Sequence, residues 1–325
     1  MRRMLALGLG AVVVISAAAL AGDPPKKDAA PVEVRLAVKA GDVFRFRQTD
    51  ASFAEVDGNP YRGDETTREY TVTVKTANPG SGVVVAVAFE LVRARLLDRA
   101  TGEWMEFDSS KPAPAEAAMK VQMLDAVARA LVGRPFSVTL DAHGSPTAVT
   151  GLREAATEGV KGSGFEEMLP MDQIFADKDC MKLAALLFTG APAEPRAIGA
   201  KWSGDMKDDV SSQTLDFSAE WTLASATTDD ATVSAKLTWK PGAAATAGGA
   251  KAVGGGEATT RFSRKDGFVL SAKKHVEAKR DTGAMKAASH TDSTIERLLA
   301  KAAGGATGAD PAKSPPPKEP DPAKK

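Results

Sequence analysis

Apolar residues recur at every second position in two long stretches of this 325-residue chain, and that periodicity limits its fold more than any other feature. Val32, Val34, Leu36 and Val38 alternate with polar neighbours, Gly41-Asp42 turns the chain, and Phe44 and Phe46 resume the pattern. Tyr70, Val72 and Val74 form another such run, closed by the turn signal Asn78-Pro79-Gly80-Ser81-Gly82. Val83 to Leu97 is apolar on both faces around Val85 and Val87, as a strand inside a sheet would be. Period two returns after Ala197. Leu215, Phe217, Ala219, Trp221 and Leu223 alternate, then Val233, Ala235, Leu237 and Trp239, and Phe268 to Lys279 and Met285 to Leu298 read as long strands.

Helical spacing appears between these stretches. Residues 113–132 place Ala117, Val121, Leu124, Ala128 and Leu131 on one stripe, which Gly133 and Pro135 terminate. Leu152 to Lys161 and Pro170 to Phe188 form a second helical region, with Ile174, Met181 and Phe188 in line. Aromatics are only 6% of the chain, so Trp104, Trp202, Trp221 and Trp239 read as bulky anchors of a core built from small and β-branched side chains. The expected fold class is α+β: two curved, half-barrel-like antiparallel sheets with amphipathic helices packed on them. The expected divisions are a signal peptide at 1–21, a flexible lead-in at 22–31 and a first β-rich half at 32–150. A helical connector at 151–195 follows, then a second β-rich half at 196–300 with a flexible Ala/Gly-rich loop at 241–256, and a disordered Pro/Lys/Ala tail at 301–325.

The two β-rich halves share an order of features. Gly41-Asp42-Val43-Phe44 parallels Gly199-Ala200-Lys201-Trp202, a glycine followed by a bulky aromatic that opens a strand. The turn Asp141-Ala142-His143-Gly144 after Phe136 parallels Lys265-Asp266-Gly267 after Phe262. Tyr70 to Val74 followed by Val83 to Phe89 parallels Phe217 to Leu223 followed by Thr232 to Trp239, and these three features in one order point to an internal duplication.

Met1-Arg2-Arg3, the uncharged run Leu5 to Leu20 and the small residues around Ala19-Leu20-Ala21 read as a secretory signal cleaved before Gly22. The apolar run is short for a bilayer span, which needs roughly 20 apolar residues. With the signal removed, no transmembrane span is expected, and the location is exported, periplasmic or extracellular. The lone Cys180 forms no internal disulfide and lies in an apolar helical stretch, where a packed small residue is expected. Lysine and arginine balance aspartate and glutamate at 42 each, and loss of Arg2 and Arg3 leaves 40 against 42. A surface without a basic stripe argues against a nucleic-acid partner. No phosphate-cradling glycine motif is present, since Gly254-Gly255-Gly256 sits in low-complexity sequence, and no cofactor is expected.

The signal, the Gly-x-x-aromatic strand openings and the Asp-x-x-Gly and Lys-Asp-Gly turns resemble an uncharacterised group of exported bacterial proteins. Their architecture is similar to that of half-barrel lipoprotein-carrier proteins, in which a curved antiparallel sheet wraps helices. The resemblance spans Val32 to Leu298. It implies a fold and an envelope location and brings no catalytic residues, and this chain lacks the lipid-attachment cysteine found in some half-barrel proteins.

Two pairs of residues are candidates for chemistry. Asp141 and His143, two apart at a strand end, are the weak candidate for a metal pair, although no further His or Cys lies nearby in sequence. His290 and Asp292, on a strand, place a carboxylate beside an imidazole, which is half of a hydrolytic triad, but no Gly-x-Ser-x-Gly elbow supplies a nucleophile. Glu166 and Glu167 read as acids at a helix start. Arg62-Gly63-Asp64 matches a cell-adhesion tripeptide in a loop expected to be exposed. The functional expectation is a non-enzymatic envelope protein with an apolar or lipid-like ligand in a groove between sheet and helices. The alternatives are a secreted hydrolase using His290 and Asp292, or a structural protein that touches cell wall through its tail.

Overall fold

A computed structural model describes residues 30–299 apart from 79–81, 99–100, 113–118, 211–212, 243–245 and 247–248. The signal at 1–21, residues 22–29 of the lead-in, Ala117 of the first helical stripe and the tail at 301–325 lie outside the described residues.

The N-terminal strands are β1 (Val43–Val56), β2 (Asn59–Asn78), β3 (Gly82–Leu97), β4 (Trp104–Asp108), β5 (Phe136–Leu140) and β6 (Pro146–Thr150). The C-terminal ones are β7 (Lys201–Val210), β8 (Gln213–Ala226), β9 (Asp230–Trp239), β10 (Lys251–Ser263), β11 (Val269–Asp281) and β12 (Lys286–Leu298). All belong to one open antiparallel sheet in the order β6-β5-β3-β2-β1-β12-β11-β10-β9-β8-β7, with β4 pairing the far end of β3. The expectation of two sheets is therefore corrected to one. The first strand of the N-terminal half and the last of the C-terminal half would each leave a row of unpaired main-chain groups. Pairing β1 with β12, from Arg45 opposite Leu298 to Val56 opposite Ala287, removes both edges.

Strand openings in the two halves use the same hydrogen bonds. Gly41 (φ 92°) donates to Val74 O at 2.9 Å, and Val74 N–H returns to Asp42 O at 2.9 Å. Gly199 (φ 82°) donates to Leu223 O at 2.7 Å, and Leu223 N–H returns to Ala200 O at 3.2 Å. The two parallel turns meet at one segment: Leu36 N–H donates to Ala142 O and Ala37 N–H to Asp266 O, each at 3.0 Å. That segment was expected to be a strand. It forms only the bridge Val32 to Arg196, because its other main-chain bonds go to the turns.

One face of the sheet carries the core. Phe44, Phe46, Tyr70, Val72, Val87, Phe89 and Phe136 are buried there, and the strand pairings put them on a common side. Four helices accompany the N-terminal half: α1 (Met119–Leu131), α2 (Leu152–Val160), α3 (Met171–Ile174) and α4 (Asp177–Leu187). Their seating is specific. The fully buried Tyr70 hydroxyl donates to Leu187 O at 2.9 Å, and Arg129, ion-paired to Asp125 at 2.6 Å, reaches the Ser109 and Asp108 carbonyls at the end of β4. Gly159 lets α2 approach α1, since a Cβ there would lie 2.3 Å from Ala130 O. The C-terminal half has no such helices among its described residues. Val210, Phe217, Ala219, Leu237, Val276 and Ala278 form a second buried cluster, and β7 comes against β11 and β12.

Several expectations need correction. Glycines 254–256 do not belong to a loop but to β10, flanked by β9 and β11. Cβ atoms on them would lie 2.4 Å from Glu277 O, 2.5 Å from Leu237 O and 2.0 Å from His275 O, so only glycine permits so close a ladder. The stripe Ile174, Met181, Phe188 is not continuous: the helix breaks between α3 and α4, the phase resets, and α4 buries Cys180, Ala184 and Leu187 while Ile174 is exposed. Glu166 and Glu167 sit in a turn, where Glu166 accepts the Gly162 amide. No helix among the described residues is long and apolar enough to cross a membrane.

Candidate functional site

The sheet face turned away from the helices is mostly a lattice of ion pairs, such as Arg45 with Glu90 and Arg93 with Asp108. One aromatic row interrupts it. Phe53 of β1 stands opposite Gly63 of β2, and Trp104, the first residue of β4, reaches across to the same spot. A Cβ on Gly63 would lie 2.7 Å from the Trp104 ring and 3.3 Å from the Phe53 ring, so the absence of a side chain makes the seat. The Phe53 and Trp104 centroids are 6.0 Å apart in an edge-to-face arrangement. The row continues sideways: His290 of β12 lies 5.2 Å from Phe53, and His275 of β11 lies 6.2 Å from His290.

Charged groups border the row and are paired with one another. Arg95 stacks 4.7 Å from the Trp104 centroid and bonds Glu106 at 2.8 Å and Glu65 at 3.1 Å. Lys279 bonds Glu277 at 2.9 Å and holds that carboxyl below its ordinary range, against a smaller opposing effect of burial, with His275 and His290 adding to the depression. Between these groups lies a hollow of ≈ 780 Å³ bounded by Phe53, Trp104, His290, Glu277 and Lys279. A second of ≈ 720 Å³ shares Glu277 and Lys279 and continues over β10, β9 and β8 past His275, Ser234 and Thr222. A third of ≈ 670 Å³ holds Arg95, Thr67 and Thr49. Trp104 borders the first hollow and Arg95 the third, so the stacked pair is the wall between them.

The residues singled out from sequence fall in different places. Asp141 closes its own turn: one carboxylate oxygen accepts the His143 and Ser145 amides, each at 2.9 Å, while His143 Nδ1 lies 3.4 Å from Val34 O. Among the described residues, no three or more His, Cys, Asp or Glu are grouped to hold a metal. His290 and Asp292 do share a face of β12, but the imidazole bonded to Asp292 is that of His275, with Nδ1 2.8 Å from Oδ1. Ser293 faces the other way and donates to Asp50 at 2.7 Å, whereas Ser289 donates to Ala278 O at 3.5 Å and borders the first hollow beside His290. Cys180 is buried, and burial pushes its thiol up. Arg62-Gly63-Asp64 lies within β2 rather than in a loop; Arg62 pairs with Asp64 at 3.1 Å and Gly63 is covered by Trp104. Trp104 is no core anchor: it belongs to the opposite face, unlike buried Trp239 and the part-buried Trp202 and Trp221, which pack with the core. Sequence reading passed over Phe53, His275 and the role of Gly63. A lone glycine inside a strand pattern was the available signal, since it marks close approach by another group.

Comparisons with known proteins add little about chemistry. The beta domain of the Bordetella autotransporter Brka is 8% identical, with 79% of this chain and 99% of that one covered, at a TM-score of 0.20. The outer membrane protein OprG from Pseudomonas aeruginosa is 9% identical, with 81% and 98% covered, at a TM-score of 0.12. Both scores are too low for a shared fold to be argued. No curated protein matches the chain. Residues 85–269, more than half of the sequence, match the profile of a family of unknown function, DUF6263, and the chain belongs to that family.

Proposed function

We propose that this chain is a non-enzymatic binding protein of the exported compartment, and that its ligand is held on the face turned away from the helices. The observation that carries this reading is the seat at Gly63, which places Trp104 beside Phe53 and His290 in an otherwise ionic surface. Phe53 and Trp104 stay half-exposed on this face, and a few convergent polar groups around apolar rings suit a binding hollow. The likeness to half-barrel carriers would instead put an apolar ligand between sheet and helices. That space is taken by Tyr70, Phe89, Phe136, Phe175 and Phe188, all buried, which favours the outer face. Export rests on the N-terminal signal and predicts a secreted chain beginning at Gly22, which N-terminal sequencing of the envelope fraction checks.

Thermal-shift measurements against soluble saccharides, short peptides and short-chain phospholipids test the binding reading. At least one probe should raise the melting temperature of the wild type and not of Trp104→Ala. If every probe leaves the wild type unshifted, or acts equally on both proteins, the reading fails. The hydrogen bond that Asp292 accepts from His275 Nδ1 supports one competing reading, a hydrolase with an oriented imidazole. Turnover of an ester or glycoside panel that disappears in His275→Ala would establish that alternative and displace ours.

A further inference from the structure

Resting on the binding reading above, we infer that the ligand of the outer face is a neutral saccharide chain, stacked on Trp104 and continuing over the Glu277–Lys279 junction into the second hollow. A pyranose ring presents apolar C–H groups on its faces and hydroxyls around its edge. It therefore suits a site with aromatic rings as walls and paired donors and acceptors as rim. Trp104, Phe53 and His290 supply aromatic walls of the first hollow. Glu277 and Lys279, 2.9 Å apart, present an acceptor and a donor side by side, the pattern that vicinal hydroxyls satisfy together.

Charge separates this class from others. The two hollows are lined by Glu55, Asp98, Glu220, Glu257 and Glu277 against Arg62, Lys236 and Lys279, with Lys279 paired to Glu277, Arg62 to Asp64 and Glu220 to Lys201, so the small acid excess disfavours an anionic polymer and leaves no basic patch. A peptide would need partners for its main chain. The strands beneath the hollows already spend theirs on one another in continuous ladders, β1 with β2 and β12 and β11 with β10 and β12. A lipid tail would meet paired charges along both hollows. Glu277 and Lys279 border both hollows, so a chain of several sugar units that crosses this pair reaches contacts that a single unit lacks.

Titration calorimetry of the full-length protein tests this, with N-acetylglucosamine hexamer and dimer, cellohexaose, a phosphatidylglycerol vesicle and a polyproline peptide as probes. A neutral hexamer should bind more tightly than its dimer, and Trp104→Ala should weaken it by roughly tenfold, the worth of one aromatic contact. His290→Ala, which removes a ring on the same wall, provides a second check if Trp104→Ala does not fold by circular dichroism. A peptide or vesicle that binds in a Trp104- or His290-sensitive manner while both hexamers do not would overturn the saccharide inference and leave the binding reading standing. Absence of binding by all probes would remove both. Hexamer binding unchanged in both variants would place the sugar elsewhere and overturn the inference.

Discussion

The two halves of the sheet begin alike and are covered differently. Gly41 and Gly199 enter their strands through matching hydrogen bonds to Val74 and Leu223, yet the first half rests against α1–α4 whereas the second packs strand on strand. A curved sheet face has to be shielded by something, and alternating strands do not say by what. In the first half the connection between β3 and β5 is long enough to hold a helix. In the second, three glycines let β10 approach its neighbours closely and β7 comes over β11 and β12. The same local grammar therefore supports two ways of burying one face.

The sharpest way to break the second half is at Gly256. Gly256→Val puts a branched side chain where even a Cβ would meet His275 O at 2.0 Å, and the expected loss is on the order of 3 kcal/mol in urea unfolding. Gly242→Val, with nothing within 4 Å of its Cβ position, should stay within about 0.5 kcal/mol and serves as the control. Equal midpoints for the two variants would disprove the close-ladder account. In the first half the counterpart is Tyr70→Phe. Removing its hydroxyl leaves Leu187 O without that partner, at a cost of about 1–2 kcal/mol, and hydrogen exchange should quicken in α4 more than in β8 and β9. Uniform quickening would mean the halves unfold as one unit.

The smallest effect expected is electrostatic. Arg261, hydrogen-bonded to Asp230 across β9 and β10, holds that carboxyl below its ordinary range, more than burial opposes it. A depressed folded pKa stabilises above the unfolded value, and that contribution disappears as pH falls through the folded one. Arg261 is half exposed, so screening keeps the gain below about 1 kcal/mol. Asp230→Asn should thus lower the urea midpoint slightly near neutral pH and not below the carboxylate range. A difference that persists in acid would assign the effect to something other than this ion pair.

Much of the first half was legible because its signals are local. Gly133 after α1 has φ 74°, as a helix terminator in the left-handed region should, and the Asp141-to-Gly144 turn lies where the residues place it. The hairpin at Asp57-Gly58, with φ 51° and 77°, carried an equally plain two-residue signal and was passed over beside the tripeptide Arg62-Gly63-Asp64. Glycines 254–256 misled for a physical reason. Composition counts what a side chain can bury, and the contribution of these residues is to have none. The site was harder still, since Phe53, Trp104 and His275 lie on three separate strands and period two cannot tell which face of a strand will be wet.

Alternation, capping glycines and turn residues by themselves determined antiparallel strands, a helical region between them and the starts of β1 and β7, because each depends on neighbours a few positions away. Only the tertiary structure decided that β1 pairs β12 to make one sheet, that helices cover one half and strands the other, and that Trp104 crosses to Gly63. Those outcomes depend on main-chain edges and faces meeting from residues as far apart as 45 and 298, and no local pattern encodes which distant edge will be the one available.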